Sequence, residues 1–153
     1  MGLKLGDSIP DFSLKDQNGN WFHLKELIGN KPLVIFFYPK DYTPGCTKEV
    51  CDFRDRYEDF QELGAEVVGI SSDSEKMHQR FAQSYKLPFT LLSDKGGKVR
   101  KLFKVESKFF NLLPGRETFV VDKSGKLILV FNSINATNHM PMALKAIQKT
   151  SKK

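Results

Sequence analysis

The chain holds two cysteines, Cys46 and Cys51, five residues apart. Cys46 ends the run Pro39-Lys40-Asp41-Tyr42-Thr43-Pro44-Gly45-Cys46. Thr43-Pro44 is a helix start signal, a hydroxyl N-cap followed by proline at the first helical position. Cys46 then falls in the first helical turn, where backbone N–H groups lack partners and the helix dipole favours an anion. A thiolate is such an anion. Free cysteine ionises near pH 8.5, and a helix N-terminus with a nearby cation lowers that by about one to several units.

A cysteine on an apolar helix stripe is, taken alone, more often inert core. Three neighbouring features favour a nucleophile. The loop places the Thr43 hydroxyl three residues before the sulfur, and Gly45 lets backbone come close to a ligand. A second sulfur follows at Cys51. Arg116 opens the strand that begins at Thr118 and is a candidate fixed positive charge, although sequence alone does not put it beside Cys46. Close cysteine pairs also begin zinc sites, but a structural site usually needs four Cys or His ligands. His23, His78 and His139 stand on separate predicted elements. His78 and His139 read as surface polar residues and His23 as a half-exposed strand residue, so no metal or other cofactor is expected.

The elements that must hold these residues follow from hydrophobic periodicity. Residues 12–14 and 21–24 alternate about Asn18-Gly19, a short hairpin. Residues 33–38 are apolar on both faces, as in a central strand covered on each side. A helix is predicted over 43–63, stopped by Gly64, with Cys46, Val50, Phe53, Tyr57 and Phe60 on one buried stripe. Strand 65–71, helix 75–85, strand 89–92 and a short basic helix 98–103 come next. Strands 118–122 and 126–131 flank the turn at Lys123-Ser124-Gly125, and helix 138–149 closes the chain before a frayed tail, 150–153. The pattern predicts an α/β fold, a mixed central sheet with helices on both faces and an N-terminal hairpin.

Length and composition agree with one domain over 1–153: 40% hydrophobic and 27% charged residues are ordinary for a globular chain. The run 33–38 is far short of the roughly 20 apolar residues of a membrane span. No secretory signal is evident, so a cytoplasmic protein is expected, or a mature organellar form lacking its transit segment. The net charge of +6 is uneven: residues 1–94 carry 11 basic and 15 acidic side chains, residues 95–153 carry 13 and 3. Charge runs usually solubilise, so the basic segment 95–108 does not by itself specify nucleic acid.

Pro39, Thr43 and Cys46, then Thr47-Lys48-Glu49-Val50-Cys51 and Phe53-Arg54-Asp55, and finally Arg116-Glu117-Thr118-Phe119-Val120-Val121-Asp122 together resemble the peroxiredoxins. The second cysteine, five residues after the first, resembles the bacterioferritin comigratory protein or peroxiredoxin Q subfamily. The resemblance runs from Asp7 to about Lys149 and implies a thioredoxin-like fold and thiol peroxidase activity. It implies Cys46 as the peroxidatic and Cys51 as the resolving cysteine, Thr43 and Arg116 as ligands of the peroxide, Pro39 as a shield of the pocket, and Glu49 as the group that orients Arg116. It further implies hydrogen peroxide or an alkyl hydroperoxide as substrate, a thioredoxin-like reductant and a monomer. The stretch 108–114 is more apolar than the family pattern leads one to expect, as befits a pocket entrance, a partner contact or a packed loop. Two rival functions stand beside this one. A thiol-disulfide oxidoreductase would carry Cys-x-x-Cys, whereas four residues intervene here; a redox-regulated binding module would use the basic segment on nucleic acid.

Overall fold

The computed structural model describes residues 3–105, 107–108, 113–114, 116–133 and 135–151, with backbone alone at 107–108, 113–114 and 151. The N-terminal hairpin forms as expected: β1 (Ser13–Asp16) pairs antiparallel with β2 (Trp21–His23). The apolar run becomes β3 (Leu33–Phe37), buried at every position. Successive side chains of a strand point to opposite faces. Val34, Phe36 and Tyr38 accordingly join one core cluster, with Cys46, Val50 and Phe53, while Leu33, Ile35 and Phe37 join another with Phe103 and Phe119.

The predicted helix over 43–63 is two helices, α1 (Pro44–Asp55) and α2 (Tyr57–Glu62). Arg56 leaves helical geometry at φ −114° and ψ 11°, which breaks the axis. The apolar stripe conceals the break, because Tyr57 and Phe60 remain buried beyond it. Then come β4 (Glu66–Ser71), α3 (Glu75–Tyr85), β5 (Thr90–Ser93) and the short α4 (Lys98–Leu102). The two-residue strands β6 (Ser107–Lys108) and β7 (Leu113–Pro114) pair with one another; the rest of the apolar stretch 108–114 lies outside the described residues. The late hairpin is β8 (Glu117–Val121) with β9 (Leu127–Asn132). The final helix, α5 (His139–Ser151), continues through residues 150 and 151, where fraying was expected.

Seven strands form one mixed sheet in the order β2-β1-β5-β4-β3-β8-β9. Here β3 runs parallel to β4 and antiparallel to β8, so the strand that launches the cysteine loop lies beside the strand that begins just after Arg116. Helix α1 is clamped to the sheet by Phe53 stacked on Phe36, centroids 4.5 Å apart and planes 8° from parallel. Gly69 makes room for that pair: a Cβ there would sit 2.7 Å from the Phe36 ring and 3.0 Å from Leu91.

Candidate active site

Four of the residues singled out in the sequence meet at the start of α1. Thr43 is the N-cap, with extended φ/ψ of −81° and 149°, and Pro44 opens the helix. The Thr43 side chain does not cap it. Its hydroxyl donates instead to the Lys40 carbonyl at 2.8 Å, so its lone pairs remain open to a donor from outside. Cys46 is wholly buried in the first turn. Arg116, 7% exposed, reaches across from the sheet and donates from Nη2 to Cys46 Sγ at 3.5 Å. Gly45 eases this approach: a Cβ there would stand 3.0 Å from Nη2, and the guanidinium would have to give by a few tenths of an ångström.

The other arm of the guanidinium donates from Nη1 to Glu49 Oε1 at 2.5 Å. Cys46 and Glu49 are three residues apart on α1 and share a helix face, which lets one fork span both. Burial lifts the Glu49 carboxyl to about 8, with Arg116 pulling in the opposite direction. Burial also opposes the Arg116 charge, but Glu49 and Cys46 outweigh it and hold the guanidinium above its ordinary value. Glu49 Oε2 has no hydrogen-bond partner among the described residues.

Cys51 lies further along the same helix, half-buried against the core, and both sulfurs are free. Burial pushes its thiol up, with Arg54 pulling down. On an α-helix, residues five apart have Cα atoms roughly 8 to 9 Å apart, beyond the about 7 Å a disulfide tolerates. The thiols are therefore held apart while α1 stays helical. Pro39 is half-buried at the end of β3, where the loop begins.

Two histidines read as surface residues are fully buried, which corrects that expectation. His78 Nδ1 pairs with Asp41 Oδ2 at 2.6 Å, and its Nε2 donates to the Leu92 carbonyl at 2.9 Å. His139 Nε2 donates to the Ser133 carbonyl at 2.7 Å, and its Nδ1 bonds Thr118 Oγ1 at 2.8 Å. Burial, then the Ser133 bond acting upward and Arg116 downward, leave His139 at about 4, so near neutrality it is uncharged and Nδ1 accepts from Thr118. Their spacing carried the signal: His78 shares a helical stripe with Phe81 and Ala82, and His139 with Ala143 and Ile147. His23, by contrast, is exposed and bonded to Ser13 Oγ at 2.7 Å.

A second arginine also enters. Arg100 donates from Nη2 to the Tyr38 carbonyl at 3.2 Å and lies over the Phe37 ring at 5.7 Å. Burial lowers its pKa, against the pull of Asp94 and Glu117. Asp41, Asp73 and His78 cluster closely enough to resemble a metal set. In this structure Asp41 Oδ2 and His78 Nδ1 bond one another, and Asp73 Oδ2 accepts from the Asp41 N–H and Ser71 Oγ.

The model of the AhpC/TSA family matches residues 5–130. The chain is 54% identical over 144 residues to the chloroplastic peroxiredoxin Q of Sedum lineare, covering 94% of this chain and 77% of that one. The chain is a peroxiredoxin of the AhpC/TSA family. A second relative, the chloroplastic peroxiredoxin Q of Populus jackii, is 50% identical, covering 94% of this chain and 67% of the other. Among solved structures, peroxidoxin BcpB from Mycobacterium tuberculosis is 39% identical with a TM-score of 0.88, covering 96% of this chain and 97% of that one. The bacterioferritin comigratory protein of Xanthomonas campestris, studied for alkyl peroxide reduction, is 28% identical with a TM-score of 0.85 over 95% and 99% of the two chains. The peroxiredoxin thus has the thioredoxin-like fold of its relatives, and its activity is that of a thiol peroxidase. No helix among the described residues is long and apolar enough to cross a membrane.

Proposed function

We propose that the chain reduces hydrogen peroxide and organic hydroperoxides through Cys46, with Cys51 resolving the product as an intramolecular disulfide. The observation that carries this reading is the Arg116 guanidinium 3.5 Å from a sulfur in the first turn of a helix. The cation and the unpaired N–H groups of that turn are placed to meet negative charge at the sulfur as it reacts. Cys46 attacks one peroxide oxygen. The O–O bond breaks, the sulfur keeps that oxygen as a sulfenic acid, and the departing hydroxide or alkoxide takes a proton to leave as water or alcohol.

Charge builds on the departing oxygen during this step, and Arg116 with the Gly45 and Cys46 N–H groups opposes it. Thr43, its own proton committed to Lys40, accepts a hydrogen bond from the peroxide O–H. Pro39 screens the loop from water, and Glu49 holds the Arg116 fork in line. The Cys51 thiol then condenses with the sulfenic acid, forming an S–S bond and releasing water. A thioredoxin-like dithiol protein returns both thiols and is itself oxidised to a disulfide. The upward shift of Cys51 favours its thiol form and leaves the first attack on peroxide to Cys46.

The chain works as a monomeric single domain in this scheme, and the chloroplastic names of its relatives support an organellar site of action over a cytoplasmic one. Peroxide consumption by the pure protein, driven by thioredoxin, its reductase and NADPH, tests the function. Wild type should turn over and Cys46→Ser should not; turnover in that variant would falsify the assignment of the nucleophile.

A further inference from the structure

Resting on the peroxidase reading, we propose that His78, acting through Asp41, is a positioning residue for peroxide reduction: the pair fixes loop 39–43 so that the Thr43 hydroxyl meets the substrate. The pair bonds Tyr38, Asp73 and Leu92, a set separate from the Arg116, Glu49 and Cys46 contacts that the chemistry above already uses. His78 is wholly buried and Asp41 is 3% exposed. Replacing such a pair with packed hydrophobic residues is often neutral or stabilising, so stability is a poor explanation for burying it.

Conformation is a better one. Asp41 is held from three directions: His78 at Oδ2 (2.6 Å), the Tyr38 hydroxyl donating to Oδ1 (2.6 Å), and its own N–H donating to Asp73 (2.8 Å). The next residue, Tyr42, sits at φ +66°, a left-handed conformation that a bulky side chain keeps only when its surroundings dictate it. They do so from α3. The Tyr42 ring packs on Phe81 with centroids 5.0 Å apart, and its hydroxyl bonds Ser84 Oγ at 2.8 Å. His78, Phe81 and Ser84 recur every three residues on one face of α3, so that face is the mould for residues 41 and 42.

The mould controls the hydroxyl through one bond. Lys40 precedes Asp41, and its carbonyl accepts the Thr43 proton at 2.8 Å. Any rotation at Asp41 turns that carbonyl, and the Thr43 lone pairs turn with it. His78 touches neither sulfur nor peroxide, yet it determines where the substrate's hydrogen bond lands.

A double-mutant cycle on the rate of Cys46 oxidation by hydrogen peroxide tests this, with His78→Leu and Thr43→Val made singly and together. Misplacement by about an ångström costs up to a hundredfold, so His78→Leu alone should slow oxidation by about tenfold to a hundredfold. In the Thr43→Val background it should change the rate by less than about twofold, since contacting groups in one chain of control are non-additive. If leucine prevents folding, His78→Gln, whose amide reaches only one of the two partners, takes its place in the cycle with the same non-additivity expected. Equal losses in both backgrounds would overturn the role. A wild-type protein whose Cys46 does not react with peroxide would instead count against the peroxidase reading itself.

Discussion

Oxidation with one equivalent of peroxide should unwind the first turns of α1. Cys46 and Cys51 both lie inside the continuous helix Pro44–Asp55, where helix geometry holds their Cα atoms roughly 8 to 9 Å apart. A disulfide requires about 7 Å or less, so the bond forms only after residues from about 45 to 52 leave the helix. The cost can be gauged from what that segment buries. Val50 is fully buried, and exposing such a side chain costs about 1.5 to 3 kcal/mol. Loosening the stacked Phe53 adds about 0.5 to 1.5 kcal/mol beyond its area. A total of about 2 to 4.5 kcal/mol is borne by the covalent bond, which lasts until a dithiol exchanges with it, so the opened segment stays open while the disulfide is present. Amide hydrogen exchange followed by mass spectrometry reads this directly. Amides 46 to 52 should lose protection on oxidation, while those of β3 and β4 keep it. Equal protection in both forms, with the intramolecular disulfide confirmed by mass, would refute the reasoning.

Arg116→Met should slow Cys46 oxidation at pH 7 by about tenfold to a hundredfold, because a charge 3.5 Å from sulfur is worth a few kcal/mol at intermediate dielectric and Glu49 shares it; a stopped-flow rate within twofold of wild type would make the arginine a bystander. Glu49, raised from 4.5 to about 8, keeps its proton in the folded protein after the unfolded chain has lost it, so it contributes stability below pH 4.5 that is lost as pH rises to about 8. His139, lowered from 6.5 to about 4, acts in the opposite sense, its contribution being lost as pH falls from 6.5 to about 4. Denaturant titrations of wild type and Glu49→Gln between pH 6.5 and 8, above the His139 window, should diverge as wild type falls relative to the variant, by at most about 1.4 kcal/mol per pH unit; parallel curves would contradict the shift. Gly69→Ala should destabilise the fold by about 1 to 3 kcal/mol by driving a methyl into the Phe36 ring, and an unchanged thermal midpoint would show that β3 yields more easily than its packing suggests.

Most elements were legible because their apolar periods are unambiguous. The alternation about Asn18-Gly19 and the run 33–38 became the hairpin and β3, and the helix expected over 75–85 became α3. The break at Arg56 was not legible, since it interrupts the backbone without interrupting the buried stripe. Cys46, Gly45 and Thr43 could be read from local spacing. The Arg116 contact could not: it joins residues 70 positions apart through the register of β3 with β8, which no local pattern encodes. His78 and His139 are polar by type, which suggests surface positions, yet both sit on inward stripes and find partners in distant segments. The Thr43 hydroxyl was expected to cap α1 and bonds Lys40 instead, a choice between two local acceptor and donor sets that the sequence Thr-Pro leaves open.

The central claim is that Cys46 takes the peroxide oxygen and Cys51 removes it. Intact mass of the reduced protein after one equivalent of hydrogen peroxide measures both steps at once. Wild type should lose two hydrogens and yield a single Cys46–Cys51 cross-link on digestion, and Cys51→Ser should instead gain one oxygen at Cys46. Oxygen retained at Cys46 in wild type, or a cross-link between two chains in place of one within the chain, would contradict it.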